Sequence, residues 1–501
     1  MVFRSNDHGS FPPPTSVVLI VAVLSVSGCS SREGENSSAS HSAATPQSEA
    51  IEKQPQQEAV SAPSDVTTPD EPIETTPAKV TQQALTAESA PSTPPPVAAV
   101  AESQEQAVLL GSADLTAGIP GEGGLTLAQI RTWLADPKQH AVLKPELPPG
   151  LAAGASQITG IDTNPMTRAK IELGRQLYFD KRLSSDSTVS CASCHDPKFD
   201  YAFNTQFGVG IDGQKGGRNP PVAYNRILSG PQFWDGRAES LEAQAVGPIA
   251  NSIEMGNTHE ACVATVHYIE GYHMQFNAIF GDAENPEQET VTIDNIGRVL
   301  ATFERAIVTG PSPWDYYRQL ADFEQAYADD IEDLEELKQE DEELYNEYQQ
   351  LQQASTDHPI SPSAIHGGEL FFADQGGCTA CHVGANFTDE KYHNLGVGMD
   401  KPDDQIDVGR LEVTKDDKHR GAFKTPTVRN VELTGPYMHD GSQQTLEEVV
   451  AWYAKGGHPN AHLSEKVKKL TLSDQDQKDL VEFMKALTGP LPQVERARLP
   501  Q

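Results

Sequence analysis

The sequence predicts a mostly α-helical protein with long functional loops, and three observations lead there. Apolar residues recur near helical spacing, as Ile171, Leu173, Leu177 and Tyr178 do in "RAKIELGRQLYFDKRLS", and a similar pattern runs through "IDNIGRVLATFERAIVTG", closed by Gly310. Sustained strand alternation is missing. Gly- and Pro-rich stretches such as "GVGIDGQKGGRNPP" separate the helical patterns and read as large loops.

Each further segment has its own physical reading. In "TLEEVVAWYAKGG", Thr445 and Glu448 form a capping box, Gly456–Gly457 end the helix, and Leu446, Val449, Val450 and Tyr453 share a face. The acidic run Asp329 to Gln353 carries a thin apolar stripe of Leu334, Leu337, Leu344, Tyr348 and Leu351. It reads as a solvated helical insertion, with a docking surface for a basic partner as the sharper alternative. Residues 30–118 are rich in Ser, Ala, Thr, Pro, Gln and Glu, bury too little apolar surface to offset ordering entropy, and are expected to be a disordered linker. Foldable sequence is expected from near Leu125.

At the N-terminus, Arg4 precedes the apolar run Val17 to Val26, too short to span a bilayer and suited to an export signal. The following "VSGCSS" resembles a bacterial lipobox, which makes 1–29 a lipoprotein-type signal and Cys29 the lipidated residue; a cleaved secretory peptide or a retained anchor are the alternatives. All three place the folded part outside the cytoplasm, and the lipoprotein reading makes it periplasmic and membrane-bound only through the lipid. The formal charge of −35 on 501 residues argues against a nucleic-acid partner and against docking on an anionic membrane by charge. Six cysteines are too few for a disulfide scaffold of this length.

Four of those cysteines form "CASCH", Cys191 to His195, and "CTACH", Cys378 to His382. A zinc ribbon would set its two pairs about 15–20 residues apart and needs no following histidine; a thioredoxin-like pair would sit near a βαβ pattern. C-x-x-C-H is instead the attachment signal for haem c. Cysteines at i and i+3 lie on one face of a helical turn and reach the two vinyl groups of one porphyrin, and the adjacent histidine becomes the proximal iron ligand. The sequence thus predicts two covalent haems, ligated by His195 and His382, in two cytochrome c-like haem domains at 119–315 and 359–501, with the acidic insertion at 316–358 between them. Cys262 has no evident partner and is expected in the core. Two haems serve either as a wire, with both irons closed by protein ligands, or as a reactor, with one open iron and an acid–base group beside it.

The stretches "LGRQLYFDKRLSSDSTVSCASCH", "GQKGGRNPPVAYN", "QFWDGRAESLEAQAVGPIANSIEMGN" and "FKTPTVRNVELTGPYMHDGS" resemble the bacterial di-haem cytochrome c peroxidases and their MauG-type relatives, from about Ala169 to near Gly489. The resemblance implies a peroxidatic first haem and an electron-accepting second haem. It assigns Glu254 as the distal acid–base group, Gln244 as a distal polar residue, and Trp234 as the bridge between haems. Read alone, Glu254 is a surface acid and Trp234 a core residue. It further implies an interdomain calcium supported by Asn219, Thr434 and Pro436, and a homodimer by analogy. The function implied is reduction of hydrogen peroxide with electrons from a small periplasmic cytochrome c or cupredoxin. The alternatives are a MauG-type oxidase acting on a protein substrate through a high-valent di-haem state, and a non-enzymatic electron carrier.

Two departures from the pattern of many peroxidases matter. The loop histidine that caps the resting first haem in many members is replaced by Ile211, and no histidine occurs between His195 and His259, so an open first haem is expected. The usual methionine ligand of the second haem falls on Tyr453, a core residue by periodicity alone but a ligand in the MauG branch; Met438 and Met399 are the reserve candidates.

Overall fold

The computed structural model of the chain describes residues 105–501; the expected export signal, Cys29 and most of the expected linker lie outside the described residues. The described residues all fall in one compact unit. The fold is mostly helical, with two small two-stranded sheets among the described residues, one parallel and one antiparallel. Helix starts follow a local rule. Thr167, Ser240, Thr258, Thr292, Ser312, Ser361, Thr445 and Ser473 each accept a hydrogen bond from the backbone N–H three residues on, satisfying one of the donors that every helix start leaves unpaired.

Two apolar clusters organise the chain. In the first, the Arg168–Phe179 helix crosses the Ile293–Ala306 helix. Ile171, Leu173, Leu177 and Tyr178 interlock there with Ile296, Val299, Leu300 and Phe303. The crossing is so close that a Cβ on Gly174 would stand 1.9 Å from the Val299 carbonyl oxygen, so only glycine fits. Cys262 is fully buried in this cluster, as expected of a small apolar side chain. The Ile293–Ala306 helix stops at Ala306 rather than running to Gly310, which packs instead against Pro490.

The second cluster gathers Leu370 and Phe371 of the Pro362–Phe372 helix, Leu446 and Val450 of the Leu446–Ala454 helix, and Leu480, Val481, Phe483 and Met484 of the Asp474–Ala486 helix. Trp314 closes it, stacked on Phe372 and edge-on to Phe483. Thr445 caps its helix as expected, but Glu448 accepts from the Gln444 N–H rather than that of Thr445, so only half of a capping box forms. Gly456 and Gly457, at φ +85° and +67°, end the helix by returning their N–H groups to Tyr453 and Trp452.

Buried polar links join the clusters. Arg429 forms a two-pronged pair with Asp315 at 2.8 and 3.0 Å and donates to the carbonyls of Ala385 and Gly150. Both partners are almost inaccessible, which makes this an unusually committed ion pair. Tyr224 donates its hydroxyl to the Arg429 carbonyl at 2.7 Å.

Three segments depart from the sequence expectation. The folded chain begins before 119: Gln106–Leu109 pairs in parallel with Leu143–Glu146, and Val108, Leu110 and Leu115 are buried. Their apolar side chains outweigh the linker-like composition around them. The acidic run is helical and mostly exposed, as expected of a solvated insertion, but it breaks into two helices. Leu334–Glu340 and Glu342–Asp357 fold back on Pro313–Ala326, burying Leu337 and Tyr348, with Tyr348 stacked on Phe323. Beyond the Asp474–Ala486 helix the chain also returns to the first cluster. Leu125 donates its N–H to the Leu499 carbonyl, and Arg498 donates to the carbonyls of Ile119 and Gly123. The fully buried Arg175, paired with Glu172, donates to the carbonyls of Glu495 and Arg498.

Candidate di-haem site

The first attachment motif forms one helical turn, Cys191–Cys194, whose start is closed by a reciprocal pair of hydrogen bonds between Ser190 and Ser193. His195 follows as the cap residue, its N–H bound to the Cys191 carbonyl at 3.1 Å and its own carbonyl accepting from the Tyr178 hydroxyl at 2.8 Å. Burial pushes its imidazole pKa down to about 4, so the ring is neutral, as a metal ligand must be. Its Nδ1 is buried without a protein partner. A neutral, unsatisfied imidazole beside two free thiols on one turn fits a covalently attached haem.

Glu254 lies on the Cys194 side of this motif, near enough that its charge helps raise the Cys194 thiol to about 11, behind burial as the main cause. The carboxyl is half-buried. Asn251 donates its side-chain N–H to Glu254 Oε1 at 2.7 Å, and Oε2 has no hydrogen bond to the described residues. Burial raises the Glu254 pKa, while Arg237 and the Asn251 hydrogen bond pull against it. The Arg237 guanidinium is fixed over the Phe233 ring, 3.6 Å from its centroid, and paired with Asp235. Ile211 donates its N–H to the Glu254 carbonyl at 2.9 Å, and its side chain packs at Gly256. A Cβ on Gly210 would meet the Ile253 carbonyl at 2.1 Å. The loop that carries Ile211 is therefore seated against the Glu254 turn. Gln244 sits half-buried on the Leu241–Ala250 helix and makes no hydrogen bond to Glu254 among the described residues.

The second motif opens on a cavity of about 240 Å³. Cys378, Cys381 and His382 line it together with Trp234, Tyr453 and Met438. Met399 lies outside that lining, against Gly421. Much of the wall is apolar, from Phe371, Val428, Leu446, Val450 and Leu480. Arg226 and Lys424 add cationic groups, with Glu390 beside Lys424 at 2.6 Å. Burial pushes Lys424 down to about 8, even with Glu390 opposing. An apolar slot with two thiols, an imidazole and cations in its wall fits a porphyrin with acidic propionates. His382 donates its Nδ1–H to the Phe387 carbonyl at 2.9 Å, which orients the ring.

Tyr453 keeps accessible surface, yet burial, with Cys381 and Cys378 adding to it, drives its pKa above the usual phenol range. It thus faces into the cavity beside both thiols rather than into the packed core. Trp234 donates its indole N–H to the Asn219 carbonyl at 2.8 Å, and its own carbonyl accepts from Lys424. Asn219 belongs to the loop whose Gly208 approaches the Cys194 sulfur, so Trp234, which lines the second cavity, is tied to a loop that also touches the first motif. Asn219, Thr434 and Pro436 line this same cavity. The Asn219 side chain donates to the carbonyls of Thr205 and Gln206, and the Thr434 hydroxyl to that of Val431.

Sequence reasoning did not single out Asn251, Arg226 or Lys424. Asn251 stands three residues before Glu254, and an Asn at that offset can reach back across a turn. Nothing local marks Arg226 or Lys424 as cavity-lining.

The family model for di-haem cytochrome c peroxidase matches residues 168–322. The methylamine utilization protein MauG of Methylorubrum extorquens is 32% identical over 337 residues, covering 67% of this chain and 83% of that protein. The cytochrome c551 peroxidase of Nitrosomonas europaea is 33% identical over 333 residues, covering 66% and 83%. A crystal structure of a MauG-like protein associated with microbial copper homeostasis aligns with a TM-score of 0.54 at 27% identity, covering 66% of this chain and 92% of that one. The two attachment motifs, the helical fold around them and these relatives agree: the chain belongs to the di-haem cytochrome c peroxidase and MauG family, whose members carry two haems c.

Proposed function

We propose that the protein is a periplasmic peroxidase that reduces hydrogen peroxide to water with electrons from a small redox protein. One observation carries the reading: a half-buried carboxyl, Glu254, is oriented by Asn251 beside the first attachment motif, and the loop seated on its turn carries an isoleucine, Ile211, with no ligating atom. Cys191, Cys194 and His195 would hold the first haem, which would supply the redox chemistry for cleaving the O–O bond. Glu254, with Oε1 held by Asn251, takes a proton from the peroxide at Oε2 and returns it to the departing oxygen, so that water leaves. Two electrons and two further protons complete the conversion of one peroxide to two waters. Gln244 is the second distal polar group. Ile211 has no ligating atom, so the site is open at rest and needs no prior reduction. Cys378, Cys381 and His382 would hold the second haem, which would accept the donor's electrons, and Trp234, which lines that cavity and is tied to the Asn219 loop, is the proposed bridge.

Tyr453 is the proposed sixth ligand of the second iron, with Met438 the remaining cavity-lining alternative. A phenolate ligand stabilises oxidised iron, which favours storing an oxidising equivalent there. That feature, with the 32% identity to MauG, supports a second reading, a MauG-type oxidase acting on a protein substrate. A calcium ion near Asn219, Thr434 and Pro436, lipidation at Cys29 and a homodimer complete the proposal. Stopped-flow addition of peroxide with and without a reduced small cytochrome or cupredoxin tests it. Rapid donor-dependent turnover is expected, whereas a long-lived oxidised species indifferent to every such donor selects the oxidase.

A further inference from the structure

The wall between the second cavity and solvent has a charge opposite to that of the chain as a whole. Residues 455–469 contain Lys455, Lys466, Lys468 and Lys469 against a single acid, Glu465, in a chain of formal charge −35. All four lysines are exposed. Lys466 and Lys468, with Val467 between them and Leu470 beyond, line the cavity that holds Cys378, Cys381, His382 and Tyr453. The segment is therefore part of what separates the second haem centre from the surface.

It is also held in place. Leu470 donates its N–H to the Ala454 carbonyl at 3.0 Å, and Ser464 donates to the Asn394 carbonyl at 2.9 Å. A Cβ on Gly456 would stand 2.7 Å from the Lys469 nitrogen, so the chain of Lys468 and Lys469 lies flat on the end of the Leu446–Ala454 helix. Lys466 Nζ reaches the Ala380 carbonyl, inside the second attachment motif, at 2.5 Å. Lys455 Nζ sits 3.8 Å from the Trp452 ring centroid. Directly after His382, Val383 is 42% exposed. Nearby Asp389 is already engaged by His393 and Lys466, at 2.9 and 3.2 Å, and so offers little free negative charge.

An exposed apolar residue next to an attachment motif, with cations along the adjoining cavity wall, suits a transient electron-transfer partner. The contact is small, and charge sets orientation and on-rate more than final affinity. On an acidic body such a patch also directs an approaching partner to this face alone. We propose that Lys455, Lys466, Lys468 and Lys469, together with the exposed Val383, form the docking surface for a small redox protein whose own electron-transfer edge is ringed by carboxylates. The proposal rests on the electron-accepting role given above to the second haem. One electron passes per encounter, oxidising the partner's metal and reducing that haem.

The test reads binding rather than turnover, so that it stands apart from the peroxidase reading. The holoprotein is titrated with a redox-silent, zinc-substituted cupredoxin of acidic face and, separately, with a small cytochrome of lysine-rich face. The wild type is expected to bind the acidic probe, with affinity falling at least tenfold between about 20 and 200 mM salt. The triple variant Lys455→Glu/Lys468→Glu/Lys469→Glu should lose at least tenfold in affinity at low salt. The corresponding triple Lys→Arg variant should bind as the wild type does, which separates charge from folding. Equal binding by wild type and charge-reversed protein overturns the proposal. So does preference of the wild type for the lysine-faced cytochrome, which would move the docking face to the acidic helices Leu334–Glu340 and Glu342–Asp357. Lysine-dependent binding without peroxide turnover supports the surface and removes the peroxidase reading.

Discussion

Glu254→Gln is the substitution on which the proton chemistry turns. Glutamine has nearly the same shape, and its Oε1 can still accept the 2.7 Å hydrogen bond from Asn251, so the turn that also seats Ile211 keeps its contacts. What goes is the ability to take a proton from peroxide. Positioned acid–base groups contribute about 100- to 10,000-fold, which corresponds to about 2.7–5.4 kcal/mol of barrier. The second-order rate of peroxide-driven change in the haem absorption of the fully oxidised holoprotein should fall by that range. Its pH dependence should change as well. The base must be ionised to act, and burial, outweighing Arg237 and Asn251, raises the Glu254 pKa above its ordinary 4.5. In the wild type the rate should therefore decline as pH falls through a value above the usual glutamate range, and this limb should vanish in Glu254→Gln. Removing the hydrogen bond that favours the carboxylate, in Asn251→Ala, should move the limb to still higher pH. A Glu254→Gln rate within about threefold of wild type, with the limb intact, would refute the assignment.

Other substitutions probe the remaining parts. Tyr453→Phe should alter the resting ultraviolet–visible spectrum and raise the reduction potential of the second haem, since a phenolate no longer stabilises oxidised iron; an unchanged spectrum would point to Met438. Ile211→His should add a low-spin bis-histidine signal in electron paramagnetic resonance and slow the peroxide reaction until the protein is reduced, and an unaltered signal would mean that the loop does not face the first iron. Arg175→Met should destabilise the fold by about 3–5 kcal/mol in denaturant unfolding, because it strands the buried Glu172 and removes the guanidinium donors that hold the C-terminal segment by its Glu495 and Arg498 carbonyls. Proteolysis after the Asp474–Ala486 helix should accelerate in that variant, and wild-type stability would show that the returning segment is held elsewhere.

What was legible in the sequence was local chemistry. Each C-x-x-C-H motif completes its meaning within five residues, and the helix-capping Ser and Thr residues act over three. The helical spacing of Ile171, Leu173, Leu177 and Tyr178 correctly marked a buried face. Glu254 and Trp234 are singled out only by resemblance, because nothing local separates a proposed distal acid from any surface glutamate. Lys424 and Arg226 stood in plain view inside or beside the quoted motifs, yet their place in the cavity depends on chain segments far away. The terminal residues were missed for the same reason: Arg175 and the Arg498 carbonyl lie 323 positions apart, and "VERARLPQ" has no periodicity to announce a packed segment. The strand Gln106–Leu109 was lost in the composition of its neighbours, where four residues that pair with Leu143–Glu146 carry too little weight.

The central claim is an open first iron with Glu254 beside it. Electron paramagnetic resonance of the resting, fully oxidised holoprotein, followed by peroxide addition without any reductant, addresses it directly. A high-spin or water-bound first haem that reacts at once is the predicted result. Two low-spin haems, both inert to peroxide until an electron is supplied, would contradict it.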